Sequence, residues 1–186
     1  MGTNRAHRDS PEAVINDVIN GPPIGAVNLL VLSINNFLNN EIKLTVDQNP
    51  PQSSLLFMGV HSAALTIAEV LFRDRGKIGY KKFLENFVDG DIEDKRFSLI
   101  ASEIHAWRNI LVHGWLSLRG HKMEYDYDMQ QGFEERMSTL YINPKIYLES
   151  YLNAFNKNGR IAQYIRNMSK EDFAVAQHII KQKYTR

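Results

Sequence analysis

The sequence predicts a mainly helical protein of one domain with a small β element. Apolar residues recur at three- and four-residue spacings along most of the chain, as in amphipathic or buried helices. Alternation at period two, which is typical of strands, is confined to a short stretch after Gly120. A length of 186 residues suits one well-buried domain better than two. We therefore expect a helical core over about 24–118, extended by a β-hairpin and further helices over about 121–186.

The composition is that of a soluble globular protein, with 44% apolar and 23% charged residues. A net charge of +1 argues against a general polyanion binder but leaves room for a local basic patch. The lack of cysteine excludes disulfides, thiol catalysis and thiolate zinc sites, and it fits a reducing compartment. The polar N-terminal stretch has no signal-peptide pattern, so we expect a cytoplasmic protein without membrane attachment.

The first two helices are predicted from their boundaries. Ser10 as N-cap and Pro11 at the first helical position predict a helix to about Ile19, ended by "NGPP". The apolar stretch "IGAVNLLVLSINNFLNNEI" then predicts a second helix of roughly four turns. The segment "TVDQNPPQ" is expected to end it.

The longest apolar run, residues 53–73, approaches the length of a membrane span. It contains His61 and Glu69, however, which favours a buried helix of a soluble bundle. Basic residues and glycine in "RDRGKIG" are expected to end this helix. A shorter amphipathic helix, "YKKFLENFV", should follow and end at "DGD".

Another helix is predicted from Ile92 onward. At about 100° per residue, its large apolar side chains fall within roughly 60° of Ile104. We expect this stripe to face the core; its members are Phe97, Ile100, Ile104, Trp107, Leu111, Trp115 and Leu118.

The last third of the chain combines strands and helices. The segments "KMEYDYDM" and "RMSTLYI" predict a β-hairpin or two edge strands. Pro144 begins a helix that Asn-Gly should end, and Ser169 with Asp172 forms a capping-box pattern before the final helix.

A polar ridge lies on the predicted helix that begins near Ile92. His105, Asn109 and His113 follow one another at four-residue spacing, and they lie about 100°, 140° and 180° from Ile104. Arg108 falls at about 40°, beside the core stripe. A solvated face would ordinarily carry lysine and glutamate, whereas apolar residues flank this ridge. The mixture favours a partner interface or a cleft.

Arginine and histidine five residues apart can act on a phosphodiester. Neutral imidazole can take a proton from a ribose 2′-hydroxyl or return one to the leaving 5′-oxygen. Arg108 can hold the phosphate and stabilise its growing charge, with no metal required, and Asn109 can fix the His113 tautomer or contact ribose. Because one histidine cannot easily be base and acid in the same step, the site would be more competent if two chains brought their ridges together.

The stretch "RNILVHG", Arg108–Gly114, resembles the signature of HEPN domains, and the form "RN-x-L-V-H" is common in their ribonuclease branch. The resemblance implies an up-and-down helical bundle, often a homodimer, in which the motifs of both subunits line a cleft that cleaves RNA without metal. It implies phosphate binding by Arg108, general acid–base catalysis by His113 and support from Asn109. Toxin-type members that pair with a nucleotidyltransferase antitoxin typically have tyrosine two residues after the histidine; here that residue is Trp115.

Further RNA contacts are expected from His105 and from Arg73, Arg75 and Lys77 in "LFRDRGKIGYKK". Favourable placement of basic residues at a helix C-terminus explains that segment almost as well. No metal site is predicted, because His105 and His113 are separated by about 12 Å along a helix axis. Glycine patterns for nucleotide phosphates are absent, so no cofactor is expected.

The sequence therefore predicts a metal-independent endoribonuclease that acts on RNA as a homodimer. A role in a toxin or defence system would add an antitoxin or nucleotidyltransferase partner. Two alternatives stay open: a non-catalytic module that binds RNA, a nucleotide or a protein through the same ridge, and a helical protein whose ridge only mediates dimerisation.

Overall fold

The protein is mainly helical with a small three-stranded sheet, as the sequence predicts. A computed structural model describes residues 11–49, 51–113 and 123–184. Within these ranges one continuous cluster of buried apolar side chains extends from Ile19 to Ile180. The two ends of the described chain therefore share a core.

The first helix agrees with its predicted boundaries, whereas the second is longer than the predicted four turns and continues to Asp47. α1 is Pro11–Asn20 and α2 is Pro23–Phe37. A π-helical turn, Leu38–Ile42, continues α2 into α3, Lys43–Asp47, so the second predicted helix is one continuous helical segment.

α4, Ser53–Phe72, is the central helix. It packs against α5 (Gly76–Phe83), α6 (Ala101–His113), α7 (Pro144–Phe155) and α9 (Lys170–Tyr184). Among the described residues it is the one helix whose length and composition would allow a membrane span, but 67% of that apolar window is buried inside the protein. This burial agrees with the predicted core helix of a soluble bundle.

The start of α6 differs from the sequence prediction. The chain forms two short 3-10 turns, Glu93–Lys95 and Phe97–Ile100, and the α-helix begins only at Ala101. Arg96 lies between the turns with φ −94° and ψ 75°, outside the helical region. The Asp89 carboxylate accepts hydrogen bonds from the Ser98 N–H and hydroxyl, which satisfies backbone that a longer helix would have paired.

The predicted apolar stripe of α6 faces the core. Phe97, Ile104 and Leu111 are buried, and Ile100 and Trp107 are partly buried against the same cluster. Trp115 and Leu118 lie outside the described residues.

The β element is larger than a single hairpin. Its strands are β1 (Met123–Tyr125), β2 (Phe133–Arg136) and β3 (Thr139–Ile142), in the order β1-β3-β2. β2 and β3 form an antiparallel hairpin, whereas β1 pairs parallel to β3. The prediction of strands in "KMEYDYDM" and "RMSTLYI" is thus partly confirmed, and β2 was not predicted.

β1 is short because its end is capped by a side chain. The Asp126 carboxylate accepts hydrogen bonds from the N–H groups of Asp128 and Met129, which turns the chain away from the sheet. Trp107 of α6 donates its indole hydrogen to the Tyr125 hydroxyl at 2.8 Å, so β1 also anchors α6.

The C-terminal helices close the bundle. α7 begins at Pro144 after Asn143, as predicted. The short helix α8, Arg160–Arg166, was not predicted. The predicted cap of α9 is confirmed: the Ser169 hydroxyl accepts the Asp172 N–H at 3.0 Å. α9 then packs against α2 and α4 rather than extending away from the core.

Candidate functional site around Arg108

A pair of histidines joins α4 to α6 beside the predicted motif. His61 is fully buried on α4, and its Nε2 lies 3.0 Å from Nδ1 of His105 on α6. The Nδ1 of His61 is also buried and has no hydrogen-bond partner among the described residues. This pairing explains how an otherwise apolar helix accommodates an imidazole, because a buried polar ring needs a hydrogen bond.

Tyrosines of α5 and α7 support the pair from the core side. The Tyr80 ring lies against His61, with 4.3 Å between ring centroids. Its hydroxyl is 2.5 Å from that of Tyr147, which is 3.1 Å from that of Tyr151. Burial raises the pKa of all three phenols above the usual value, so they form an uncharged hydrogen-bonded row behind the histidines.

Burial and positive charge keep both histidines neutral. Burial lowers the pKa of His61 to about 3, with further contributions from His105 and Arg108. Burial also lowers the pKa of His105, assisted by the charges of Arg108 and Lys77. Both imidazoles are therefore uncharged donors and acceptors near neutral pH.

Arg108 is a partly buried cation that has no anionic partner in the part of the chain that the structure describes. Its Nη1 donates to Oδ1 of Asn109 at 3.2 Å, and its buried Nε has no hydrogen-bond partner within residues 11–49, 51–113 and 123–184. Within the described ranges, no carboxylate forms an ion pair with it. A desolvated positive charge is unfavourable unless it is paired, so an anion would be favoured here.

The predicted polar ridge is covered more than a solvated helix face would be. His105 and Asn109 are half-buried, as are the flanking residues Ile110 and Val112. His113 is the last residue of α6, but its side chain lies outside the described part of the protein. The structure thus brings His105, Arg108 and Asn109 to one region of α6.

The three basic residues before α5 differ in their surroundings. Arg73 pairs with Asp172 of α9 at 3.4 Å, and Arg75 pairs with Glu69 of α4 at 2.5 Å. Lys77 is exposed and forms no ion pair among the described residues, and its charge acts on His105. Lys77 is therefore a member of this segment whose charge acts on the site through His105.

His61 is the site residue that sequence reasoning missed. Its signal was present, because a histidine within a long apolar helix needs a polar partner. The partner could not be identified, since it lies 44 residues away on another helix. Among the described residues, no group of three or more His, Asp or Glu side chains could hold a metal ion.

Comparison of the chain with known protein families, curated proteins and solved structures finds no match.

Proposed function

We propose that the protein is a metal-independent endoribonuclease of the cytoplasm, acting as a homodimer. Arg108 binds the scissile phosphate, His113 is the general acid–base group, and Asn109 holds the Arg108 guanidinium. The likeness of "RNILVHG" to the HEPN signature supports these roles. The same likeness supports a toxin or defence role with an antitoxin or nucleotidyltransferase partner.

The observation that carries the proposal is the partly buried Arg108, which has no ion-pair partner among the described residues. Several other cations of this protein form ion pairs with carboxylates; Lys82, for example, pairs with Asp74, and Arg136 pairs with Asp126 and Glu134. Arg108 instead has neutral neighbours, namely Asn109 and the His61–His105 pair. A phosphodiester would supply the missing negative charge and accept planar, charge-assisted hydrogen bonds.

The reaction follows from these groups. The His113 imidazole of one copy acts as the base: it removes the proton of a ribose 2′-hydroxyl, and the resulting oxygen attacks phosphorus. Arg108 stabilises the charge that builds on the phosphoryl oxygens. The P–O5′ bond breaks, and the leaving oxygen takes a proton from the His113 imidazolium of the second copy. The products are a 2′,3′-cyclic phosphate and a 5′-hydroxyl.

A non-catalytic RNA-binding module is the second candidate. It is favoured by the neutral state of His105, because a neutral imidazole that donates a hydrogen bond can hold a phosphate without chemistry. The two candidates share Arg108 and differ in whether His113 transfers protons.

The test is RNA cleavage in excess EDTA by wild type, Arg108→Ala and His113→Ala. The matched controls are Arg166→Ala and His178→Ala, which change exposed residues of α8 and α9. We expect cleavage by wild type and both controls, and a loss of at least about 100-fold in the two motif variants. RNA binding without cleavage would support the module instead, and equal cleavage by all five proteins would contradict both sets of roles.

A further inference from the structure

The His61–His105 pair has one hydrogen to share between two facing nitrogens. Each neutral imidazole carries a hydrogen on only one of its nitrogens. Since Nε2 of His61 and Nδ1 of His105 are 3.0 Å apart, one of them must donate and the other accept. Which ring donates decides where the hydrogen of His105 lies.

The surroundings of His61 favour one arrangement. If His105 donated, the hydrogen of His61 would lie on Nδ1, as a buried donor with no acceptor among the residues that the structure describes. If His61 donates from Nε2, its Nδ1 is a bare acceptor instead. Unpaired buried N–H groups are rarer in proteins than under-satisfied acceptors, and leaving such a donor unpaired costs its full desolvation. Donation from His61 to His105 is therefore the favoured state.

The groups around the His61–His105 pair favour the neutral form of both imidazoles. Tyr80 of α5 packs on His61, and its hydroxyl is occupied by Tyr147. Lys77 and Arg108 supply positive charge from α5 and α6. No carboxylate forms a hydrogen bond or ion pair with either ring within the described ranges, so nothing there stabilises an imidazolium.

We propose that His61 is a positioning residue: it donates its Nε2 hydrogen to Nδ1 of His105 and thereby holds His105 as the Nε2–H tautomer. His105 then presents a neutral donor to a phosphate oxygen that Arg108 and Lys77 attract. The identity of that phosphate as RNA rests on the proposed function, whereas the tautomer does not.

A neutral donor suits this position. Arg108 and Lys77 already supply two positive charges, and a third would be costly beside them before a ligand binds. A fixed N–H adds direction without charge, and it needs no rearrangement when the phosphate arrives. His61 contributes by excluding the other tautomer, since it cannot reach the ligand from its buried position.

The tautomer can be measured directly. Long-range ¹H–¹⁵N spectra of the labelled full chain at pH 7 distinguish a protonated ring nitrogen from a bare one. We expect His105 to be protonated at Nε2 and bare at Nδ1, and His61 to be protonated at Nε2. A His105 ring protonated at Nδ1 in wild type would overturn the proposal.

Two substitutions of His61 distinguish its role as a hydrogen-bond donor to His105 from a role in packing alone. His61→Gln places an amide N–H₂ where Nε2 lies and keeps the donor, whereas His61→Leu fills similar space without one. We expect His61→Leu to lose the single His105 tautomer and to bind a 2′-O-methyl oligoribonucleotide about tenfold more weakly. His61→Gln should stay within about twofold of wild type in affinity. Equal affinity for wild type and a folded His61→Leu would overturn the role.

Neither the measurement of the tautomer nor that of oligonucleotide binding depends on catalysis. The 2′-O-methyl probe cannot be cleaved by 2′-hydroxyl attack, and the tautomer is read in the free protein. A fixed tautomer with His61-dependent binding but no cleavage of ordinary RNA would sustain this proposal and contradict the nuclease. Cleavage of ordinary RNA by a protein in which His105 populates both tautomers would support the nuclease and contradict this proposal.

Discussion

At the scale of residues, the proposed role of Arg108 comes at a cost in stability. Its guanidinium is half-buried and has no carboxylate partner among the described residues. Proteins tolerate such unfavourable groups chiefly where function needs them. Stability and RNA binding should therefore respond in opposite directions when the charge is removed.

We expect Arg108→Leu to raise the free energy of unfolding by about 1 kcal/mol and to abolish RNA binding. The exposed Arg166 of α8 provides the control, and Arg166→Leu should stay within about 0.5 kcal/mol of wild type. Urea unfolding and oligonucleotide binding measure the two effects. A marked loss of stability in Arg108→Leu would mean that the arginine is structural.

His61 gives the protein a predictable acid sensitivity. Its pKa is about 3 in the folded state and near 6.5 when the chain is unfolded. Below pH 6.5 the unfolded chain binds a proton that the folded protein excludes, so stability is complete above this pH and falls towards pH 3. One pKa step is worth about 1.4 kcal/mol, so the loss by pH 3 is on the order of 4 kcal/mol.

Replacing His61 tests this assignment. His61→Leu should flatten the fall in unfolding free energy between pH 6.5 and pH 4, measured by urea unfolding at each pH. The exposed His178→Leu is the control and should retain the wild-type slope. The same slope in wild type and His61→Leu would show that another group causes the acid sensitivity.

At the scale of elements, Asn143 joins the sheet to α7. Its Oδ1 accepts the N–H groups of Lys145 and Ile146, which caps the helix, and its Nδ2 donates to the Met129 carbonyl at 2.6 Å. It is almost fully buried, so none of these bonds can be replaced by water without rearrangement.

We expect Asn143→Ala to lower the free energy of unfolding by about 2 to 3 kcal/mol, because it removes a cap and leaves a buried carbonyl unpaired. Asn153→Ala, an exposed position on the same helix, should change it by less than about 0.5 kcal/mol. Chemical unfolding measures both. Similar values for the two variants would refute the capping role.

Local signals predicted the elements well where caps and periodicity agreed. Pro11, Pro144 and the Ser169 cap gave helix starts that the structure confirms. The start of α6 was wrong because one residue, Arg96, leaves the helical region while the apolar pattern continues through it. The parallel pairing of β1 with β3 depends on contacts between segments distant in sequence, which periodicity does not report.

At the scale of the whole molecule, the site depends on packing between distant segments. The apolar stripe of α6 predicted which face enters the core, and this fixed the positions of His105 and Arg108 on the helix. The stripe could not predict that His61 of α4 would lie against His105 of α6. The presence of most helices and the bounds of α1, α4 and α9 could be predicted, whereas the mutual contacts of the helices required the structure.

The proposed site also depends on association of two copies. If His113 of each copy supplies one of the two proton transfers, a monomer is incomplete. We expect sedimentation to show a dimer, and the cleavage rate per chain should fall on dilution below the dimer dissociation constant. A constant rate per chain across that range would mean that one copy suffices.

The most direct test of the nuclease account compares an RNA with its 2′-O-methyl counterpart in excess EDTA. The account predicts that wild-type protein cuts the RNA, leaves 2′,3′-cyclic phosphate and 5′-hydroxyl ends, and does not cut the 2′-O-methyl strand. Intact RNA after incubation with folded, dimeric protein, or equal cleavage of both strands, would contradict 2′-hydroxyl attack at this site.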